Sequence, residues 1–468
     1  MLLHVKERNM EYPQKYVKSM EELLGQEGAQ QLFDSLENRT NQGLRINNKK
    51  ISNEAFLELA DKCTLSRDCA FGKIPWIPNG YYIKDTKPAS AHPYYRAGLF
   101  YIQEPSAMTP ARSLKIERDD RVLDMCAAPG GKATQLASKL GPKGFLLAND
   151  ISAGRGRALL KNLEMAGADN FCVTAEDPGR LAKVYPEYFD KILLDAPCSG
   201  EGMFRKDPKS VAAWMEKGPE FYAPIQEKLL EDASAMLSPG GTLLYSTCTF
   251  STKENEERIL KLLEEHKELH TVKIEPYTGF EKGCMGLDDA VRIYPHRMDG
   301  EGHFCCLIRK EGYKKSSAVD QKADRQIMKK LPDTLTEFLS YVKYDLSDGC
   351  FIKDREHVYH LGSSVARIPS LRYLRTGLYI GDIKNDRFEP SQAFAMVLSK
   401  DTFEYCIDHS CDDPRLEKYL KGESFPIEGT GKKGFQWRLI TVDGYSVGWA
   451  KSSGNMLKNK YEASWRKN

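Results

Sequence analysis

No stretch of this 468-residue chain approaches the roughly 18 consecutive apolar residues that a membrane-spanning helix needs. Its first residues, MLLHVKERNMEYPQKY, lack the apolar core and small-residue cleavage site of a secretory leader. Cysteine occurs 12 times but is scattered, far below the density of a disulfide scaffold. The thiols are therefore expected to be reduced and the protein cytoplasmic. Neither charge sign dominates: 68 Lys and Arg face 66 Asp and Glu, for a formal net charge of +2. Any basic surface for nucleic acid must then be local. There are no internal repeats or low-complexity segments. With 41% hydrophobic and 29% charged residues, large-scale disorder is excluded. The length exceeds what one core supports, so several domains are expected.

What is present falls into segments. Residues 1–104 mix helical and extended patterns and read as an α+β domain that contacts substrate or RNA. SMEELLGQEGAQQLFDSL (19–36) has helix-spaced apolar residues. GLRINNKKIS (43–52) reads as a strand running into a basic turn. Residues 75–103, rich in proline and aromatics, read as irregular structure. Over 105–310, short apolar strands alternate with helices: RVLDMC, GFLLAND, NFCVTAED, DKILLDAP and GTLLYST are the strands. This rhythm predicts an α/β, Rossmann-like, doubly wound and mostly parallel sheet, complete by about residue 310. Ligands in such sheets sit beyond the carboxyl ends of the strands. Cys126, Asp150, Asp177, Asp195, Cys198 and Cys248 all lie at or just past those ends. Polar residues 311–330 read as a linker. Residues 331–468, with short extended runs divided by Gly, Asp and Asn, read as a small β-rich domain.

The first strand runs directly into CAAPGGK, residues 126–132, and then into a helix. Gly130 and Gly131 permit close backbone approach, and the helix start offers free amides. Asp150 ends the second strand about 20 residues later, where an acid commonly holds ribose hydroxyls. The pattern points to an adenosine-containing cofactor. It lacks the G-x-G-x-x-G of a dinucleotide site. S-Adenosylmethionine carries no pyrophosphate and needs less of that cradle. Asp195 could hold its positively charged methionine end.

FDKILLDAPCSGEGMF (189–204) and GGTLLYSTCTF (240–250) each carry an apolar strand into a cysteine, Cys198 and Cys248. A buried cysteine is ordinarily inert packing. Two at strand ends suit a particular chemistry. Cytosine C5 is a poor nucleophile until a thiolate adds at C6 and turns the ring into an enamine. Such an enzyme needs a nucleophile, an acid near N3 and a base to remove the C5 proton. Asp195, Cys198 and Cys248 supply these residue types. A thiol with an ordinary pKa of about 8.5 needs nearby donors or cations, and Lys132 is a candidate.

DMCAAPGGKATQLA, AND (148–150), DAPCSGEGMFRKDP and YSTCTFSTKENEE together resemble the RNA 5-methylcytosine methyltransferases, the NOL1/NOP2/Sun family. EPSAM (104–108) resembles the segment that precedes the catalytic domain there. PWIPNGYYI, HPYYRAGLFYIQEPSAM, RTGLYIGDIKNDRFEPSQAFAM and GWAKSSGNMLKNKY resemble bacterial RsmF-type 16S rRNA methyltransferases. The resemblance implies a class I methyltransferase fold and a C-terminal PUA-like RNA-binding domain. It implies S-adenosylmethionine as cofactor and methylation of cytosine C5 in small-subunit rRNA through a covalent cysteine–C6 adduct. By position, Cys248 is the nucleophile, Cys198 helps release the product, and Asp195 faces N3 and the cofactor. Cys126, Ala127, Ala128, Pro129, Gly130, Gly131 and Lys132 line the cofactor, with Asp150 on the ribose and Asp177 near the adenine. Glu176 is a rival to Asp177.

Other features weigh less. GTGKKGFQWRLI and GWAKSSGNMLKNKYEASWRK interleave basic and aromatic side chains, which suits RNA phosphates and unpaired bases as well as a solvated face. Arg205 and Lys206 suit phosphates or ion pairs. His296, His303, Cys305 and Cys306 fit no common zinc spacing, and no metal is expected. A monomer acting on rRNA, either naked or in an assembled subunit, is the expectation. A tRNA substrate, a nucleotide-cofactor oxidoreductase and a catalytically silent assembly factor stay open as alternatives.

Overall fold

The computed structural model describes residues 12–38, 42–63, 65–207, 209–313, 327–365, 367–426 and 435–466. The expected linker overlaps 314–326, the basic stretch GTGKKG spans 429–434, and most of the opening stretch MLLHVKERNMEYPQKY falls within 1–11. Those expectations lie outside the described residues.

The centre is a ten-stranded sheet. Its parallel core consists of β1 (Arg121–Asp124), β2 (Phe145–Asn149), β3 (Phe171–Thr174), β4 (Phe189–Asp195) and β5 (Leu237–Thr247), ordered β5-β4-β1-β2-β3. The order reverses at β1, which places the ligand crevice beside β1 and β4. Successive residues enter opposite apolar layers, as a period of two requires. Leu123, Leu147, Ile192 and Leu243 face one layer; Val122, Leu146, Leu193 and Leu244 face the other. Both faces are thus covered, which is why these strands read as unbroken apolar runs.

The flanks of the sheet are antiparallel, and one of them corrects an expectation. Next to β5 lies β6 (His303–Lys310), followed by Val291–Ile293 and Phe280–Lys282. At the other edge, β3 pairs with β7 (Tyr373–Thr376), a strand supplied by the C-terminal third of the chain. The sheet is therefore not complete by residue 310. The 331–468 segment also holds two separate sheets, one over Cys350–Asp354, His357–Leu361, Leu378–Lys384 and Arg387–Pro390. The other is built from Cys406–His409, Phe425–Pro426, Trp437–Val442, Tyr445–Ser453 and Met456–Asn459.

In the N-terminal region the helix Gln14–Glu37 is broken at Gly25, whose φ of 72° lies in the left-handed region that glycine tolerates. The expected strand is Gln42–Ile46, and the basic turn follows it. Residues 75–103 are not irregular. They supply Gly80–Ile83 and Phe100–Ile102, which flank Gln42–Ile46 in an antiparallel sheet. Elements this short carry no readable periodicity; pairing with a distant strand holds them. The basic turn docks on the catalytic domain. Lys49 pairs with Asp169 at 2.9 Å, while half-buried Lys50 donates to the Met165 carbonyl at 3.3 Å.

Candidate active site

The carboxyl ends of β1 to β5 open on two cavities. The larger, about 900 Å³, runs from Asp150 and Asp177 to Cys198 and Cys248. The smaller, about 380 Å³, lies between Lys132, Glu301, His303 and Cys248. Cys126, Ala128, Asp195, Met203 and Cys248 border both. The 126–132 turn is therefore a partition. Ala127, Pro129, Gly131 and Lys132 face the smaller cavity, and Gly130 faces neither.

Asp195 ends β4 and sits at the centre of this wall. Its carboxylate accepts from Lys132 Nζ at 2.7 Å and from Ser246 Oγ at 2.7 Å. His303 Nε2 lies 3.6 Å away. Burial would raise the Asp195 carboxyl, but Lys132 and His303 outweigh it and hold it well below the usual carboxylate range. Asp195 also keeps Lys132 protonated against the burial that would lower it. Close by, Asp124 is fully buried, and neither carboxylate oxygen has a hydrogen-bond partner among the described residues. Burial, reinforced by Asp195, pushes Asp124 up to about 8.

The two thiols meet at the end of the larger cleft, with Cys198 Sγ 3.3 Å from Cys248 Sγ. The contact with Cys248 and burial push the Cys198 thiol well above its ordinary value, so Cys198 keeps its proton. Three buried acids that the sequence did not single out hold the two loops. Glu254 accepts from the Ser199 amide and from Gln226 Nε2, both at 2.9 Å. Glu201 accepts from the Phe250 amide at 2.8 Å and Trp214 Nε1 at 3.0 Å. Glu256 forms an enclosed pair with Arg292, which also donates to the Phe250 carbonyl at 2.8 Å. The signal was in view: three acids, Glu254, Glu256 and Glu257, follow STCTF, and two of them are fully buried.

In the larger cleft Asp150 is 2% exposed. Its Oδ1 accepts from the Ser152 amide at 2.9 Å, and Oδ2 lies 3.4 Å from Arg155 Nη2. The adjoining Ile151 is 65% exposed, an apolar shelf beside Pro178 on the same wall. Asp177 is exposed on that wall, whereas Glu176 is buried and accepts from the Arg372 amide at 2.6 Å. Arg372 immediately precedes β7, so the C-terminal region fixes Glu176.

The N-terminal sheet supports the partition from behind. Buried Arg45 donates to the Gly131 carbonyl and Thr134 Oγ1, both at 2.8 Å. Burial lowers its guanidinium to about 9. A side chain at Gly131 would meet Tyr101 and Gln103 at 3.2 Å. Arg205 is structural, donating to the Ser35 carbonyl at 3.1 Å and the Gly300 carbonyl at 2.6 Å, while Lys206 lines the smaller cavity. Cys305 and Cys306 are consecutive on β6 and enter opposite apolar layers, so they cannot share an ion with His303.

Comparisons with known proteins agree along the chain. Residues 111–309 match the family model for 16S rRNA methyltransferase RsmB/F. Residues 12–105 match the N-terminal domain of 16S rRNA methyltransferase RsmF, 337–398 its first C-terminal domain, and 406–467 its PUA domain. Ribosomal RNA small subunit methyltransferase F of Erwinia tasmaniensis is 38% identical over 64% of this chain and 63% of its own length. The protein of the same name from Shewanella amazonensis is 31% identical over 89% of this chain and 90% of its own. A solved methyltransferase homologue from Pyrococcus horikoshii is 29% identical with a TM-score of 0.56, covering 64% of this chain and 95% of that one. The class I methyltransferase core, the RsmF-type N-terminal region and the PUA domain all being present, the chain belongs to the RsmF family of 16S rRNA methyltransferases.

Proposed function

We propose that this protein methylates C5 of a cytosine in 16S rRNA, with S-adenosylmethionine as donor and Cys248 as nucleophile. The observation that carries this reading is the shared wall, because Cys248 and Asp195 border both cavities at once. The larger cleft suits the donor. Its volume is in the range of small-molecule sites, Asp150 is a buried acceptor for ribose hydroxyls, and Ile151 with Pro178 offers apolar surface to an adenine. Asp177 is placed to accept from the adenine amino group. When bound, S-adenosylmethionine supplies an electrophilic methyl group.

The smaller cavity suits a cytosine. The chemistry requires a proton donor near N3. Asp195, held ionised by Lys132, has no proton to give. Lys132 takes that role as the donor toward N3, with Asp195 accepting from the 4-amino group. Cys248 adds to C6 as thiolate, and the ring becomes nucleophilic at C5. Cys198 keeps its proton and donates toward the Cys248 sulfur, which stabilises that sulfur as attacking and as departing thiolate; after methyl transfer the C5 proton leaves to water, the C6–sulfur bond breaks with its electron pair returning to Cys248, and N3 gives its proton back to Lys132. Residues 331–468 dock RNA. Their RNA affinity should decline steeply with salt, as phosphate contacts do.

Bisulfite mapping of rRNA from a deletion strain tests the reading. Loss of a 16S position, restored by the wild-type gene but not by Cys248→Ala, supports it. An unchanged 16S map with a lost tRNA position would move the substrate to tRNA.

A further inference from the structure

The N-terminal region and the last sheet share one apolar core, to which Cys63, Tyr94, Leu416 and Ile440 all belong. At its margin Cys63, His92 and Cys411 converge. One ligand atom from each lies within 4.8 Å of the other two. Cys63 ends the helix Asn53–Lys62 and is 4% exposed. His92 precedes the short helix Pro93–Arg96. Cys411 follows the strand Cys406–His409. We propose that these three side chains form a zinc site that staples the N-terminal region to the C-terminal sheet.

The donor set selects the ion. Two thiolates and an imidazole suit zinc and exclude calcium or magnesium, which prefer oxygen. A tetrahedral site with zinc–sulfur bonds of about 2.3 Å sets neighbouring donors about 3.8 Å apart. The three donor atoms, within 4.8 Å of one another, lie no more than about 1 Å beyond that spacing.

The donors are also braced. Asp443 Oδ2 accepts the Cys411 amide at 3.2 Å and the Tyr94 hydroxyl at 2.8 Å, so one carboxylate ties the two sides of the site together. His92 Nδ1 accepts only a long contact from the Tyr94 amide, at 3.2 Å. Ligation through Nδ1 gives up that contact alone. Binding releases the two thiol protons, leaves the bound thiolates facing the dication, and keeps a fourth position for water.

The test uses the full chain, purified in a non-thiol reductant so that a Cys63–Cys411 disulfide cannot form. Elemental analysis should find one zinc per chain. Cys63→Ser and Cys411→Ser should each lose most of it, and Cys284→Ser should not. Cobalt(II) added to metal-free wild-type protein should give thiolate-to-cobalt charge-transfer absorption, which Cys411→Ser abolishes and Cys248→Ala leaves intact. Should a serine variant fail to fold, the wild-type cobalt spectrum still decides. Wild-type protein without zinc and without that absorption, or zinc undiminished in folded Cys411→Ser, would overturn the proposal and leave three side chains that only pack against one another. Methyl transfer would stand in either case, because the cluster touches neither cavity.

Discussion

Cys198 Sγ and Cys248 Sγ face each other at 3.3 Å across the end of the cleft, one from the loop after β4 and the other from the end of β5. The contact with Cys248 and burial hold the Cys198 thiol in its protonated form. Their chemistry is therefore unequal although their sequence settings look alike.

That inequality predicts opposite phenotypes. Cys248→Ala should be inactive and form no covalent RNA–protein species. Cys198→Ala should form the adduct and methylate, then release it slowly, because the departing thiolate has lost its donor. Denaturing electrophoresis with labelled RNA reads both. Trapped complex with Cys248→Ala, and none with Cys198→Ala, would reverse the assignment.

Lys132→Met should abolish activity and destabilise the fold by about 1–3 kcal/mol at neutral pH, since it strands a half-buried carboxylate. The sign with pH follows from Asp195. Its folded pKa lies below its unfolded value, so its contribution is present above the unfolded pKa and fades as pH falls through the folded one. In the variant, burial without Lys132 raises that carboxyl, so the gap from wild type should narrow toward acid. Denaturant titrations at pH 7 and 4.5 check this. An equal gap at both would show that packing, not charge, dominates.

Asp124 has the opposite sign. Its folded pKa is raised to about 8, so the favourable contribution is whole below the unfolded carboxylate range and is lost as pH rises through 8. Asp124→Asn should therefore gain on wild type by about 1.4 kcal/mol for each pH unit climbed between the unfolded and folded values, and level off above the folded one. Thermal melts from pH 5 to 9 should diverge upward. Parallel curves would mean that Asp124 is ionised and solvated after all.

Asp150→Ala should weaken S-adenosylmethionine binding by about 1.5–3 kcal/mol, the worth of a charged acceptor on ribose hydroxyls. Calorimetry on the apoprotein measures it. Unchanged affinity would remove Asp150 from the site.

The parallel core was legible in the sequence because strands buried on both faces leave unbroken apolar runs, and β1 to β5 lie where those runs are. The strand-end residues were legible for the same reason, since topology fixes which end faces the crevice. What escaped was long-range. β7 reads like any short strand, and only its partner β3, about 200 residues earlier, makes it part of the catalytic sheet. Glu201, Glu254 and Glu256 look like solvated acids until their buried donors are seen. Arg45 belongs to a region that reads as separate, yet it holds the Gly131 turn. The basic turn at Lys49 and Lys50 binds protein, through Asp169 and the Met165 carbonyl.

The late arrival of β7 also sets a clock on biosynthesis. A ribosome adding 5–20 residues per second needs about 10–40 s to travel from β3 to β7. Throughout that interval the outer edge of β3 presents bare backbone donors and acceptors to a crowded cell. A nascent chain halted just before Tyr373 carries every catalytic side chain named above but keeps an adhesive rim. Stop codons shortly upstream of β7 should thus yield aggregates, rather than an enzyme that has merely lost its grip on RNA.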